Sequence, residues 1–251
     1  MNLIRITAMQ DNYIWLLFNI KRESIIIDPG IAPQVLQCLK KNNLSLKAIL
    51  LTHHHDDHVG GVSDILQHYP DIPVYGPLET INKGCNRPII KYNKITILDI
   101  VFKILHTPGH TLGHLTYYAM PYLFCGDTLF SAGCGRIFEG TPQQMYYSLQ
   151  LIAQLPNNTL ICCAHEYTQL NLKFARSVLS KNQYIKQYQK KINQLRLNNQ
   201  ASVPSLLSIE KKINPFLRCY DNALELNYRL GNKPNHLWEI FARLRKMKDQ
   251  F

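Results

Sequence analysis

Several things are missing from this 251-residue sequence, and each absence removes a class of protein. The longest apolar runs, such as Ile25 to Ile27 and Ala48 to Leu51, fall far short of the ~20 residues a membrane helix needs, so a bilayer-spanning chain is not expected. Met1 to Ile6 carries one Arg and passes into polar Gln10, Asp11 and Asn12, without the apolar core of a signal peptide. A place inside the cell is therefore expected. The seven cysteines contain no Cys-x-x-Cys pair and no regular spacing, which argues against a disulfide framework and for buried, reduced thiols. There is no internal repeat and no low-complexity tract. Acidic residues are scarce in the last third, where residues 166–251 hold 16 Lys and Arg against six Asp and Glu. Nearly all of the +11 net charge sits there. A basic segment on a near-neutral body points to an anionic partner, whether nucleic acid, a membrane surface or a small acidic substrate.

What remains has the composition of a soluble globular protein, long enough for a main domain and a smaller one. Tyr13 to Phe18 and Ser24 to Ile27 read as a hairpin stopped by Asp28-Pro29-Gly30. Pro33 to Lys41 and Val62 to His68 read as helices around a buried strand at Ala48 to Leu51. Further strands are expected at Ile95 to Asp99, Phe102 to Leu105, Leu115 to Tyr118, Tyr122 to Cys125 and Leu160 to Cys163. After His165 the periodicity turns helical, at Asn171 to Leu179, Tyr184 to Leu197 and Ala223 to Leu230. The expected division is 1–165 for a sheet-containing domain and 166–251 for a helical one.

The chemistry is concentrated in Thr52-His53-His54-His55-Asp56-Asp57-His58-Val59-Gly60-Gly61, directly after a buried strand. Alternate side chains of an extended segment point the same way, so His53, His55 and Asp57 can converge while His58 turns in at a helix start. Imidazole and carboxylate donors suit zinc, iron or manganese. Gly60 and Gly61 are expected to supply a tight turn. Further donors stand at strand ends: His110 in Thr107-Pro108-Gly109-His110-Thr111, Asp127 in Cys125-Gly126-Asp127-Thr128, and His165 after Leu160 to Ala164. His54, His68, His106 and His236 are expected to serve structure alone. His114 is expected in a supporting or core position, and Asp28 either orients a ligand or forms the turn.

These four blocks, in this order, resemble the metallo-β-lactamase superfamily over roughly residues 3–165. The resemblance implies an αββα sandwich with two divalent metals, zinc with iron or manganese as alternatives. His53, His55 and His110 would hold the first, Asp57, His58 and His165 the second, and Asp127 would bridge both. Three segments outside the metal blocks resemble glyoxalase II, the hydroxyacylglutathione hydrolase family. They are Gly133-Cys134-Gly135-Arg136-Ile137-Phe138-Glu139-Gly140-Thr141, His165-Glu166-Tyr167-Thr168, and Arg245-Lys246-Met247-Lys248-Asp249-Gln250-Phe251. Asn214-Pro215-Phe216-Leu217-Arg218 matches that family's helical domain.

That second resemblance implies a cytoplasmic, monomeric enzyme that hydrolyses S-D-lactoylglutathione to glutathione and D-lactate, in the second step of methylglyoxal detoxification. Asp57 and Asp127 would act through a hydroxide shared by the two metals. Arg136, Phe138, Tyr167, Arg245 and Lys248 would bind the substrate. Phe138 stands where some members carry Tyr, so a phenol hydrogen bond would be absent. A glutathione thioester is then the anionic partner, and neither nucleic acid nor membrane is needed. A phosphodiesterase or ribonuclease of the same superfamily would instead show steep salt dependence. A sulfur dioxygenase would need only one iron, and a binding module with structural metals would not need open coordination positions.

Overall fold

Parallel strands need a crossover, and the N-terminal half supplies three, two of them through α-helices. In the computed structural model, which describes residues 1–90, 93–221 and 235–251, β1 (Asn2–Ala8), β2 (Asn12–Phe18) and β3 (Glu23–Ile27) form an antiparallel meander. Helix α1 (Ala32–Lys41) then crosses over to β4 (Ser45–Leu50), which pairs parallel to β3. After α2 (Asp56–Val59) and α3 (Val62–His68), β5 (Val74–Gly76) continues the parallel order. The short β6 (Arg87–Pro88) completes a six-stranded sheet ordered 1-2-3-4-5-6. β7 (Lys94–Ile97), β8 (Ile100–His106), β9 (Leu115–Ala119) and β10 (Tyr122–Gly126) form an antiparallel run.

Alternation along the strands decides how these layers stack. Ile6, Ala8, Ile14, Leu16, Ile26 and Ile49 share one buried cluster with Val35 and Leu39 of α1 and with Val62 and Ile65 of α3, so both helices cover one face. The opposite face meets the second set of strands. Trp15 lies 6.5 Å from Phe124, ring centre to ring centre, and the buried Tyr117 hydroxyl donates to the Leu51 carbonyl at 2.7 Å. Burial holds that phenol's pKa well above its ordinary value, so it stays a donor.

The chain divides into two units, residues 1–106 with 113–126 and residues 107–112 with 127–251. The second contains the hairpin β11 (Leu129–Phe130) and β12 (Gly133–Cys134), helix α4 (Pro142–Ala153), and β13 (Leu160–Cys163), which pairs with β14 (Ser205–Leu206). Its helices are α5 (Thr168–Val178), α6 (Gln183–Leu197), α7 (Leu207–Ile213) and α8 (Leu237–Asp249).

The elements not anticipated are β1, β5, β6, the β11–β12 hairpin, β14, and the helices α4, α7 and α8. The start signal of α4 is nonetheless in the sequence: the Thr141 hydroxyl accepts from Gln144 N, the Gln144 side chain accepts from Thr141 N, and Pro142 opens the first turn. The helix expected at Ala223 to Leu230 lies outside the described residues. All seven cysteines are free thiols, six of them buried. Among the described residues, no helix is long and apolar enough to cross a membrane.

Candidate metal centre and adjoining cavity

The carboxyl ends of two adjacent parallel strands place the first group of donors. Ile27 pairs with Leu50, and the next residues, Asp28 and the Leu51-Thr52 pair, leave β3 and β4 side by side. Asp28 is buried and takes a positive φ of 52°. Its carboxylate accepts from Thr52 N through Oδ1 at 2.7 Å, and from the Thr52 hydroxyl and His58 Nδ1 through Oδ2 at 2.7 and 2.9 Å. Having given its own proton to Asp28, the Thr52 hydroxyl is left to accept from His53 Nδ1 at 3.0 Å. One carboxylate therefore orients two imidazoles, His58 directly and His53 through Thr52. Both imidazoles thereby place a proton on Nδ1, which leaves Nε2 as the nitrogen that can ligate.

Those nitrogens meet further donors of the same unit. His53 Nε2 lies 3.0 Å from His55 Nδ1, and His58 Nε2 lies 3.5 Å from Asp57 Oδ2. Asp57 is held in place by Asn12 Nδ2, which donates to the same oxygen at 2.9 Å. The buried His114 stacks beside His53, ring centres 5.0 Å apart, in the supporting position expected of it.

Two details differ from the sequence reading. Asp57 lies inside α2, so the first helical turn, not an extended strand, brings it beside His58. Gly60 and Gly61 have ordinary helical φ values of −58° and −84°, so they are not needed for a special turn. They are needed for close approach, because a Cβ on Gly61 would come within 2.7 Å of the Pro29 carbonyl oxygen and 2.6 Å of Ala32 N.

The second unit brings two imidazoles together around one carboxylate. Asp127 directs Oδ2 toward His110 Nε2 at 3.4 Å and Oδ1 toward His165 Nε2 at 3.3 Å. His110 donates from Nδ1 to the Arg136 carbonyl at 2.8 Å, which again leaves Nε2 as the outward nitrogen. The His165 ring stacks on Tyr167 with centres 4.7 Å apart and planes 2° from parallel, and Phe130 meets it edge-on at 5.7 Å. All seven donors are side chains able to ligate a metal ion. Three of the five imidazoles are tautomer-fixed with Nε2 presented, and Asp127 faces a different imidazole with each oxygen. That donor set fits metal ligation.

Asp127 also lines a cavity of about 420 Å³ whose wall includes Arg136, Phe138, Tyr167, Arg245 and Lys248. The five contribute differently. Arg136 and Phe138 are exposed, and the Phe138 ring sits edge-on to His110 at 5.2 Å. Arg245 is buried. Its guanidinium donates to the carbonyls of Cys134 and Gly135 at 2.8 and 3.3 Å and pairs with Asp249 at 2.9 Å, so it shapes the cavity wall. Lys248 is half-buried, with Nζ 5.7 and 5.3 Å from the ring centres of Phe174 and Phe251. Burial, followed by the neighbouring charges of Arg245 and Arg136, lowers its pKa. Sequence reasoning missed Thr52, Asn12 and Phe130. Only Thr52 carried a signal, its place between a strand end and the first histidine.

Comparison with known proteins gives a consistent result. A family model described as the metallo-beta-lactamase superfamily matches residues 10–84 and 93–165, and one described as the hydroxyacylglutathione hydrolase C-terminus matches residues 166–251. With both chains covered completely, the sequence is 57% identical to a hydroxyacylglutathione hydrolase of Edwardsiella ictaluri (strain 93-146). It is 55% identical to one of Yersinia pseudotuberculosis serotype O:1b (strain IP 31758), again over 100% of both chains. The crystal structure of the BLEG-1 B3 metallo-beta-lactamase is similar with a TM-score of 0.68 and 24% identity, over 86% of this chain and 99% of that one. At that identity the likeness is one of fold.

Proposed function

We propose, from the premise that this chain belongs to the hydroxyacylglutathione hydrolase family of the metallo-beta-lactamase superfamily, that it hydrolyses S-2-hydroxyacylglutathione thioesters. The preferred substrate is S-D-lactoylglutathione, giving glutathione and D-lactate in the second step of methylglyoxal detoxification. The observation that carries the reading is the cavity that sets the carboxylate of Asp127 in one wall with Arg136, Phe138, Tyr167, Arg245 and Lys248. Glutathione has two carboxylates, and cationic side chains beside an apolar ring suit it.

In this reading residues 1–165 form the catalytic domain and 166–251 the substrate-binding domain. His53, His55 and His110 would hold one divalent ion, Asp57, His58 and His165 a second, and Asp127 both. Zinc is preferred, with iron or manganese as alternatives. Such ions, when bound, supply an acidified water and an electrophile for the thioester carbonyl. The chain's own residues do the rest. Asp28 and Thr52 keep His58 and His53 in the ligating tautomer, the Arg136 carbonyl does the same for His110, and Asn12 steers Asp57. Asp57 and Asp127 are catalytic through the ions they hold. Lys248 and Arg136 take up substrate carboxylates, while Arg245 keeps the Cys134–Gly135 backbone in place. The leaving thiolate belongs to a thiol of pKa near ~8.5 and departs without a separate acid. The proposal includes a monomer in the cytosol with no nucleic-acid or membrane partner.

The test is to offer metal-loaded protein S-D-lactoylglutathione, titrate the released thiol, and run a model phosphodiester in parallel. Thiol release that a chelator abolishes, with the phosphodiester untouched, is the expected result. Cleavage of the phosphodiester alone would overturn the reading in favour of a nuclease-like enzyme.

A further inference from the structure

From Asp127 to Arg136 the chain runs out along β11 and back along β12, and this one hairpin meets the three proposed ligands of the second unit, His110, Asp127 and His165. Asp127 stands at its base. Arg136, at the other end, lends its carbonyl to His110, and the ring of Phe130 sets the edge of His165. Whatever fixes the hairpin therefore fixes all three.

The tip is gripped by residues some 80 positions further on. Glu210 of α7, fully buried, accepts from the Ser131 hydroxyl through Oε1 and from Ala132 N through Oε2, both at 2.7 Å. Asn214, also fully buried, donates from one amide nitrogen to the Phe130 carbonyl at 3.1 Å and the Gly133 carbonyl at 2.9 Å, tying the two strands together. Its Oδ1 accepts from Phe216 N at 3.1 Å, and Asn171 of α5 adds a bond to the Ser131 carbonyl at 3.1 Å. Between them Ala132 holds a φ of 57°, a left-handed conformation that a residue with a Cβ keeps only where its surroundings impose it. A carboxylate buried this completely is tolerated because several donors converge on it.

We infer that Glu210 and Asn214 are positioning residues of the metal centre: by clamping the β11–β12 tip they set where Asp127, the Arg136 carbonyl and Phe130 stand. The inference rests on the reading of His110, Asp127 and His165 as ligands. It gives the C-terminal helices a task beyond substrate contact.

The experiment uses the full chain with Glu210→Ala, Glu210→Gln and Asp127→Ala. It measures zinc affinity by chelator competition, the visible spectrum of the cobalt-loaded protein, and the melting temperature of the metal-free protein. Glu210→Ala is expected to weaken zinc binding by about tenfold or more and to shift the cobalt bands, as loss of an outer support does. Glu210→Gln is expected to restore both, since its amide oxygen can take the Ala132 N–H while its amide nitrogen donates to the Ser131 hydroxyl oxygen. A lowered melting temperature with unchanged zinc affinity and unchanged cobalt bands would overturn the inference. Should Glu210→Ala fail to fold, Ser131→Ala removes a single bond of the clamp. A smaller shift in the same direction supports the inference, and no shift overturns it. Asp127→Ala separates the two readings: if it keeps its full metal complement, the ligand assignment falls irrespective of the clamp.

Discussion

Asp28 shows how much can hang on one side chain. Its two oxygens accept three hydrogen bonds, and those bonds set the tautomer of two histidines. In Asp28→Asn an amide nitrogen must replace one oxygen, and in either orientation it faces a donor, Thr52 N or the Thr52 and His58 pair. Metal affinity should fall about 10- to 100-fold with the fold retained, as chelator titration and circular dichroism would register together. Lys248 and Arg245 line the same cavity but should fail differently. If Lys248 takes up a substrate carboxylate as proposed, Lys248→Ala should remove a charge-assisted contact of about 1.5–3 kcal/mol, and KM should rise roughly tenfold or more with kcat unchanged. Arg245→Ala strips the Cys134 and Gly135 carbonyls of a buried donor, and a lower melting temperature should accompany any loss of activity. Because burial lowers the Lys248 pKa, the lysine loses its charge at lower pH than an ordinary lysine. KM should therefore climb with rising pH in the alkaline range for the natural protein and stay flat in Lys248→Ala.

At the scale of elements, caps and hairpins matter more than helix content. Helix α4 begins with a reciprocal Thr141–Gln144 cap. Thr141→Ala should cost about 1 kcal/mol, or roughly 2–4 °C in melting temperature for a chain of this length, as calorimetry would measure. That helix went unread because the polar Ser148 shares the buried face with Met145, Leu149 and Ile152 while the apolar Tyr147 and Leu151 are exposed, which blurs the apolar spacing in the sequence. The strands at Tyr13 to Phe18, Ser24 to Ile27 and Ala48 to Leu51 and the helices at Pro33 to Lys41 and Val62 to His68 were legible, because short apolar runs, helical spacing and Pro-Gly stops agree there. The β11–β12 hairpin was not legible, since two-residue strands carry no periodicity and their anchors lie in another part of the chain.

For the whole molecule, charge and metal content make the measurable differences. Of the 14 described basic residues after position 165, only Arg245 and Lys248 line the cavity beside Asp127. Among the described residues most of the surplus therefore lies away from the cavity, where it is expected to act as a long-range field on an anionic substrate. Raising the ionic strength should accordingly lower kcat/KM modestly, without the steep power-law loss expected of a protein tracking a phosphate backbone. If the protein holds two zinc ions and each binds a thousandfold more tightly than micromolar, stripping them should lower the melting temperature by roughly 15–30 °C at micromolar free zinc, a shift that readdition of zinc reverses.

The sequence by itself determined the superfamily, the donor types and their order along the chain, because a metal centre needs particular atoms and His53, His55, Asp57 and His58 lie within six residues of one another. It also marked the positions that line the cavity, through motifs as local as Gly133 to Thr141. Only the tertiary structure decided which nitrogen each oriented imidazole presents, that Arg245 is bound to backbone carbonyls, and that Glu210 and Asn214 hold the hairpin of Asp127. Those outcomes depend on hydrogen bonds between residues dozens of positions apart, and such pairings exist only once the strands and helices have packed.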